Sequence, residues 1–303
     1  MTHTPFTPYE GPLQGHSILS SFAQYSGLVL VICLVIVFLI RSYVFEKWYM
    51  PRYFKDKYYC LDDHQRRGLV NHCVSILLKA VMFAWTVYPF CKVKFSKATF
   101  ATPLCRGGTF TLGDAMLFSS QMFIAMYLHE LLYRAELSMV ALAHHIGTVV
   151  IAQFAVALTL MESEREDAAP EFMLCMLWGI WDGVSEGYVH GVIIVKRKYP
   201  DNHRKIRNWN RFACYSTAFG TLIETVLIMW LFSIHWNRWN LGLKIATPVL
   251  HTMFSAAQLW GTKNYYSMWK YHEDILNEDK KKTDVGEREK GYGVGVRVDS
   301  TPL

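Results

Sequence analysis

Charge is scarce in this sequence. Only 18% of its residues are Asp, Glu, Lys or Arg, where a soluble chain carries about a quarter. Set against 52% hydrophobic residues, that shortage excludes an ordinary soluble domain. Smaller absences narrow the class further. The first 25 residues contain no Lys or Arg, so the positively charged start of a secretory signal peptide is missing and no cleavage is expected. There is no Asn-x-Ser/Thr acceptor and no internal repeat. No two of the 12 histidines stand four apart. The His-x-x-His-His and His-x-x-x-His ligand sets of membrane di-iron desaturases and zinc hydrolases are therefore not present, and no metal is expected.

What the sequence does have is apolar runs of membrane length. A span needs about 20 residues to cross a ~30 Å hydrocarbon core. Seven stretches meet this: 26–45, 70–90, 113–133, 137–160, 172–195, 212–234 and 243–262. The predicted fold class is all-α, a polytopic membrane protein of about seven transmembrane helices. Residues 1–25 form a luminal tail and 26–45 a leading span. Six helices within 66–269 form the main membrane domain, and the polar, Lys-rich residues 272–303 read as a disordered cytosolic tail.

The net charge of +6 reflects topology rather than a nucleic-acid partner. Of the Lys and Arg residues, 22 fall in the connections on one side of the spans and 6 on the other, with Arg41, Lys79 and Lys244 inside spans. The positive-inside rule then sets the N-terminus in the lumen and the C-terminus in the cytosol. Among the seven cysteines, Cys60 is expected to be cytosolic and reduced. Cys91 and Cys105 share one luminal stretch, where a disulfide is one open pairing.

The spans carry ionisable groups that lipid would not tolerate. The stretch 127–148 packs His129, Glu130, Arg134, Glu136, His144 and His145 into apolar sequence. Glu130 and Arg134 are one helical turn apart, which suits a helix-end ion pair, and Arg134 and Glu136 suit a water boundary. The fifth span places Asp182, Glu186 and His190 on one stripe, four residues apart. Lys79, Glu224 and His251 add groups from the second, sixth and seventh spans. Counted from the cytosolic edge at ~1.5 Å per residue, most of these groups lie roughly 10–20 Å deep. Groups at one depth on five helices predict a shared polar pocket, since buried charges in a span face a cavity or one another.

The run His144-His145-Ile146-Gly147-Thr148 resembles the His-His-x-x-Thr signature of TLC-domain proteins, a family that includes ceramide synthases, translocating-chain-associated proteins and ceroid-lipofuscinosis-type proteins. The resemblance covers about 66–269. Asp182 is similar in position to the aspartate of the ceramide synthase motif, while Trp181 and Ser185 stand where that motif has His and a second Asp. The resemblance implies an endoplasmic reticulum protein of lipid metabolism, with a six-helix pocket for a lipid or acyl chain. It implies no bound cofactor, with acyl-CoA as a co-substrate, and leaves a homodimer open.

Two functions follow as alternatives. In an acyltransferase, His144 or His145 is the base or acyl carrier, oriented by Asp182 or Glu186. Lys79, Thr148, His190, Glu224 and His251 would then contact substrate. In a lipid-binding or lipid-sensing protein the same pocket holds its ligand without turnover.

Overall fold

The structure is a computed structural model that describes residues 17–134, 136–161 and 165–292, the side chains of 165–167, 186 and 284–292 excepted. Every named element among the described residues is helical. α1 (Ser26–Leu39) continues through a ten-residue π-helix, Ile40–Tyr49, into α2 (Met50–Phe54) and the single turn α3 (Asp56–Tyr59). There follow α4 (Asp63–Phe95), α5 (Leu112–Tyr133), α6 (Met139–Leu158), α7 (Arg165–Lys198), α8 (His203–Ile234) and α9 (Leu241–Tyr292). Each predicted span overlaps one long helix. Four stretches, Ala23–Phe54, Asp63–Phe95, Met139–Leu158 and His203–Ile234, are long and apolar enough to cross a membrane. These are the features of a membrane protein.

Local sequence sets the helix starts. Asp62, Ser138 and Asn202 each accept a hydrogen bond from a first-turn backbone N–H at the heads of α4, α6 and α8. α5 begins with a full capping box: Thr111 accepts from the Asp114 N–H, and Asp114 accepts from the Thr111 N–H. Such caps satisfy donors that a helix end otherwise leaves open.

Packing then builds one bundle. α4, α5, α6 and α7 close a ring in that order, α1 lies against α5, and α8 and α9 stack outward from α7. Two apolar clusters fill it. One joins the start of the described chain, the first half of α5, the end of α6, the first half of α7 and the end of α8. The other joins α1 to the first half of α4 and the last turns of α5. The outside stays apolar, with Leu28, Val81, Val150, Phe219, Leu222 and Met253 all exposed. Apolar surface on this scale marks a membrane or an interface.

Both ends depart from the expected tails. Residues 1–16 lie outside the described residues. From Ser17 on, the chain is held: Leu19 is buried, and the Ser20 hydroxyl donates to Asp114 Oδ1 at 2.5 Å. Gly113 permits this contact, because a Cβ there would lie 1.8 Å from the Leu19 carbonyl oxygen. At the other end, the tail expected to be disordered from His272 is helical as far as Tyr292. α9 has 52 residues, about 78 Å at ~1.5 Å per residue. The physical reason is continuity: residues added to a formed helix carry no nucleation cost, and this segment is rich in the helix formers Glu and Lys. Lys270 and Glu273 pair along it at 2.8 Å. Residues 293–303 lie outside the described residues.

Candidate functional site

A cavity of about 70 Å³ lies inside the ring of α4 to α7, with α8 and α9 closing one side. A buried water needs ~10–15 Å³, so this space takes a handful of waters or a slim chain. Its walls are largely apolar, including Met82, Phe123, Ile151, Met176, Trp178 and Phe254. Lys79, His144, Thr148, Asp182, Glu224 and Gln258 break that wall.

The polar groups converge on Asp182. Lys79 Nζ donates to Asp182 Oδ2 at 2.9 Å, and the Tyr127 hydroxyl donates to the same oxygen at 2.5 Å. His144 Nε2 lies 3.4 Å from Asp182 Oδ1 and 3.4 Å from the Tyr127 oxygen. The Lys79 side chain is only 2% exposed, so its ammonium is stabilised by Asp182 rather than by bulk water. Separating such a buried pair costs ~3–5 kcal/mol because the remaining charge has no water to stabilise it. The His144 side chain, at 19%, keeps a face on the cavity. Opposite, Gln258 Nε2 donates to Glu224 Oε2 at 2.8 Å, and its Oε1 accepts from Thr221 at 2.6 Å.

A second polar network lies beside the first and away from the cavity. His145 Nε2 meets Glu130 Oε2 at 2.7 Å, and the Ser75 hydroxyl donates to the other Glu130 oxygen. His72 and His190 share a contact between their Nδ1 atoms at 2.7 Å, so one ring donates there and the other accepts. His251 accepts from Trp178 Nε1 at 3.2 Å through Nδ1, and its Nε2 lies 3.1 Å from Thr225 Oγ1.

The predicted residues therefore separate. His144, Asp182, Lys79, Thr148 and Glu224 share one cavity. His145, His190 and His251 are buried but bonded elsewhere, so the structure does not place them on its wall. Glu186 lies on α7, but its side chain is outside the described residues. The helix-end pairing read for Glu130 and Arg134 needs correction: both Glu130 carboxylate oxygens face Ser75 and His145 across the bundle. Cys91 and Cys105 are exposed free thiols.

Two residues of the cluster were missed as site residues. Tyr127 looked like an ordinary aromatic of an apolar helix, and its contact with Asp182 joins α5 to α7. The available signal was its place three residues before Glu130, one turn away on the same side of α5. Glu130 was visible but assigned to the wrong partner. Among the described residues, no group of three or more His, Cys, Asp or Glu side chains could hold a metal ion.

The chain matches no family model, no curated protein and no solved structure.

Chemically, the arrangement orients an imidazole. A carboxylate oxygen facing Nε2 favours the tautomer with its proton on Nε2, which makes Nδ1 the basic nitrogen. Lys79 and Tyr127 both donate to the other carboxylate oxygen and fix its rotation. An oriented imidazole on the wall of an apolar slot can take a proton from a polar group at the end of a hydrocarbon chain.

Proposed function

We propose that this chain is a seven-span protein of the endoplasmic reticulum membrane, with its N-terminus luminal and C-terminus cytosolic, that works in lipid metabolism. Its cavity takes an acyl chain, and His144 acts as general base in acyl transfer from an acyl-CoA thioester. The observation that carries this reading is the meeting of His144 with Asp182 on the wall of a mostly apolar slot, with Lys79 and Tyr127 bracing the carboxylate. The TLC-type run from His144 to Thr148 supports the same reading, since two of its members, His144 and Thr148, line the cavity.

In the proposed step, His144 takes the proton of an acceptor amine or hydroxyl as that group attacks the thioester carbonyl. The C–S bond then breaks, and the thiolate leaves with the proton as free CoA. Every atom of donor and acceptor is accounted for, and no oxidant or reductant is required. The test is CoA release by the purified protein in lipid nanodiscs supplied with palmitoyl-CoA and a long-chain amine. The expected result is release that His144→Ala abolishes while leaving the melting temperature in place. No release above an empty-disc control would remove catalysis from the proposal.

One observation favours a second reading. The His144 to Asp182 separation of 3.4 Å is looser than the ~2.6–3.2 Å of an engaged base and orienter, and Asp182 Oδ2 already serves Lys79 and Tyr127. This suits a protein that binds or senses a lipid without turning it over. Saturable retention of palmitate without CoA release would select it.

A further inference from the structure

A second cleft, of about 470 Å³, lies where α4 begins and α5 ends, and it has a chemistry of its own. Three arginines line it, Arg41, Arg66 and Arg67, against two acids, Glu46 and Asp63. The acids are engaged. Glu46 Oε1 accepts from Arg41 Nη1 at 3.3 Å and from the Tyr133 hydroxyl at 2.5 Å. Asp63 Oδ2 lies 2.9 Å from Arg67 Nε. Arg66 has no carboxylate partner among the described residues. A guanidinium does not deprotonate in proteins, so the cleft carries one uncompensated positive charge.

The donors are oriented as well as charged. The Arg41 guanidinium sits 4.4 Å over the Tyr133 ring, and its Nη2 donates to Ser42 at 2.9 Å. Its Nε–H is buried with no hydrogen-bond partner among the described residues. Tyr58 is buried and lines the same cleft. Burial pushes the Tyr58 phenol up, Glu46 adds to that rise and Arg66 opposes it, so the charge of Arg66 reaches the cleft wall. Independently, Arg41 and Glu46 both lie on the π-helix Ile40–Tyr49. That geometry is rare, appears mostly as single turns and is frequent at functional sites. The volume falls in the ~300–1,000 Å³ range of small-molecule sites, far more than two side-chain ion pairs fill.

We infer that this cleft is a binding site for a phosphate monoester, with Arg66 and Arg67 gripping the phosphate oxygens, Arg41 adding its positive charge from the wall, and Tyr58 and Tyr133 as further walls. Arginine suits the task because its planar fork matches two phosphate oxygens at once. The phosphate can come from a lipid headgroup at the membrane edge or from a soluble nucleotide. The site stands apart from the acyl-transfer reading and survives its failure.

The test is native mass spectrometry of the full-length protein released from phosphatidylcholine nanodiscs, run once with phosphatidic acid in the bilayer and once with AMP in solution. Arg66→Gln is the test variant, since Arg66 has no ion pair to lose. Lys47→Gln is the control, since Lys47 is exposed and packs over Tyr43 outside the cleft. A melting temperature for each variant checks folding. The expected result is a bound phosphate ester in the wild type, about tenfold weaker or more in Arg66→Gln and unchanged in Lys47→Gln. Retention of phosphatidic acid alone assigns the site to a headgroup, and retention of AMP alone assigns it to a nucleotide. Absence of both adducts, or equal weakening by the two substitutions, overturns the site.

Discussion

His144 and Asp182 face each other across α6 and α7 at 3.4 Å, on the wall of a cavity that four other helices help to enclose. Their neighbours in sequence do not share this placement. His145, one residue on, meets Glu130 of α5 at 2.7 Å and leaves the cavity to its twin. The two histidines should therefore respond differently to substitution, and so should the two carboxylates.

His144→Ala is expected to leave the melting temperature within ~2 °C of wild type, because the side chain borders open space. His145→Ala strands the buried Glu130 carboxylate and should cost ~3–5 kcal/mol. Differential scanning fluorimetry in detergent separates them. Equal losses would mean that the two rings occupy equivalent environments.

Lys79→Met alone should destabilise by a similar ~3–5 kcal/mol, since it leaves Asp182 buried without its cation. Adding Asp182→Leu should recover much of that loss, because an apolar pair has no charge to desolvate. Additive destabilisation in the double variant would show that the ion pair contributes little coupling.

Gly113→Ala tests the hold on the N-terminal segment. The new methyl would lie 1.8 Å from the Leu19 carbonyl oxygen, a backbone atom that a rotamer change cannot move. Overpacking of this kind costs ~1–3 kcal/mol. Proteolysis near residues 17–25 should accelerate in the variant, and unchanged cleavage would count against the packing seen here.

Stability should also depend on pH through His272, whose Nδ1 lies 3.0 Å from that of His203. Burial first, then His203 and Lys196, lower the His272 pKa from its ordinary 6.5. A depressed histidine is neutral in the folded state, so the unfolded chain binds more protons below that value. Its contribution is fully present above pH 6.5 and is lost as pH falls from there through the folded value. Melting temperatures between pH 7.5 and 5 should decline less in His272→Gln than in wild type.

Thiol labelling tests the orientation. Cys60 and Cys105 are exposed and free, on opposite sides of the proposed membrane. In sealed microsomes, an impermeant maleimide should label Cys60 at once and Cys105 only after detergent. The reverse pattern would invert the topology.

Much of the architecture was legible without coordinates. Each predicted span overlaps a helix. Part of the site was legible too, since Lys79, His144, Asp182 and Glu224 were selected by charge and depth and line one cavity. What failed was partner choice. Glu130 looked paired with Arg134 because the two are a turn apart, yet the helix contacts aim its oxygens at Ser75 and His145.

Apolar run length was sufficient to determine a helical membrane chain, because transfer from water is a local property that sums along each segment. The packing of α4 to α7 alone decided which imidazole reaches the cavity. Successive residues on a helix point about 100° apart, so His144 and His145 are indistinguishable until neighbouring helices assign each direction its surroundings. Ion pairing in a bundle is likewise a matter of distance across helices, which no spacing along one chain contains.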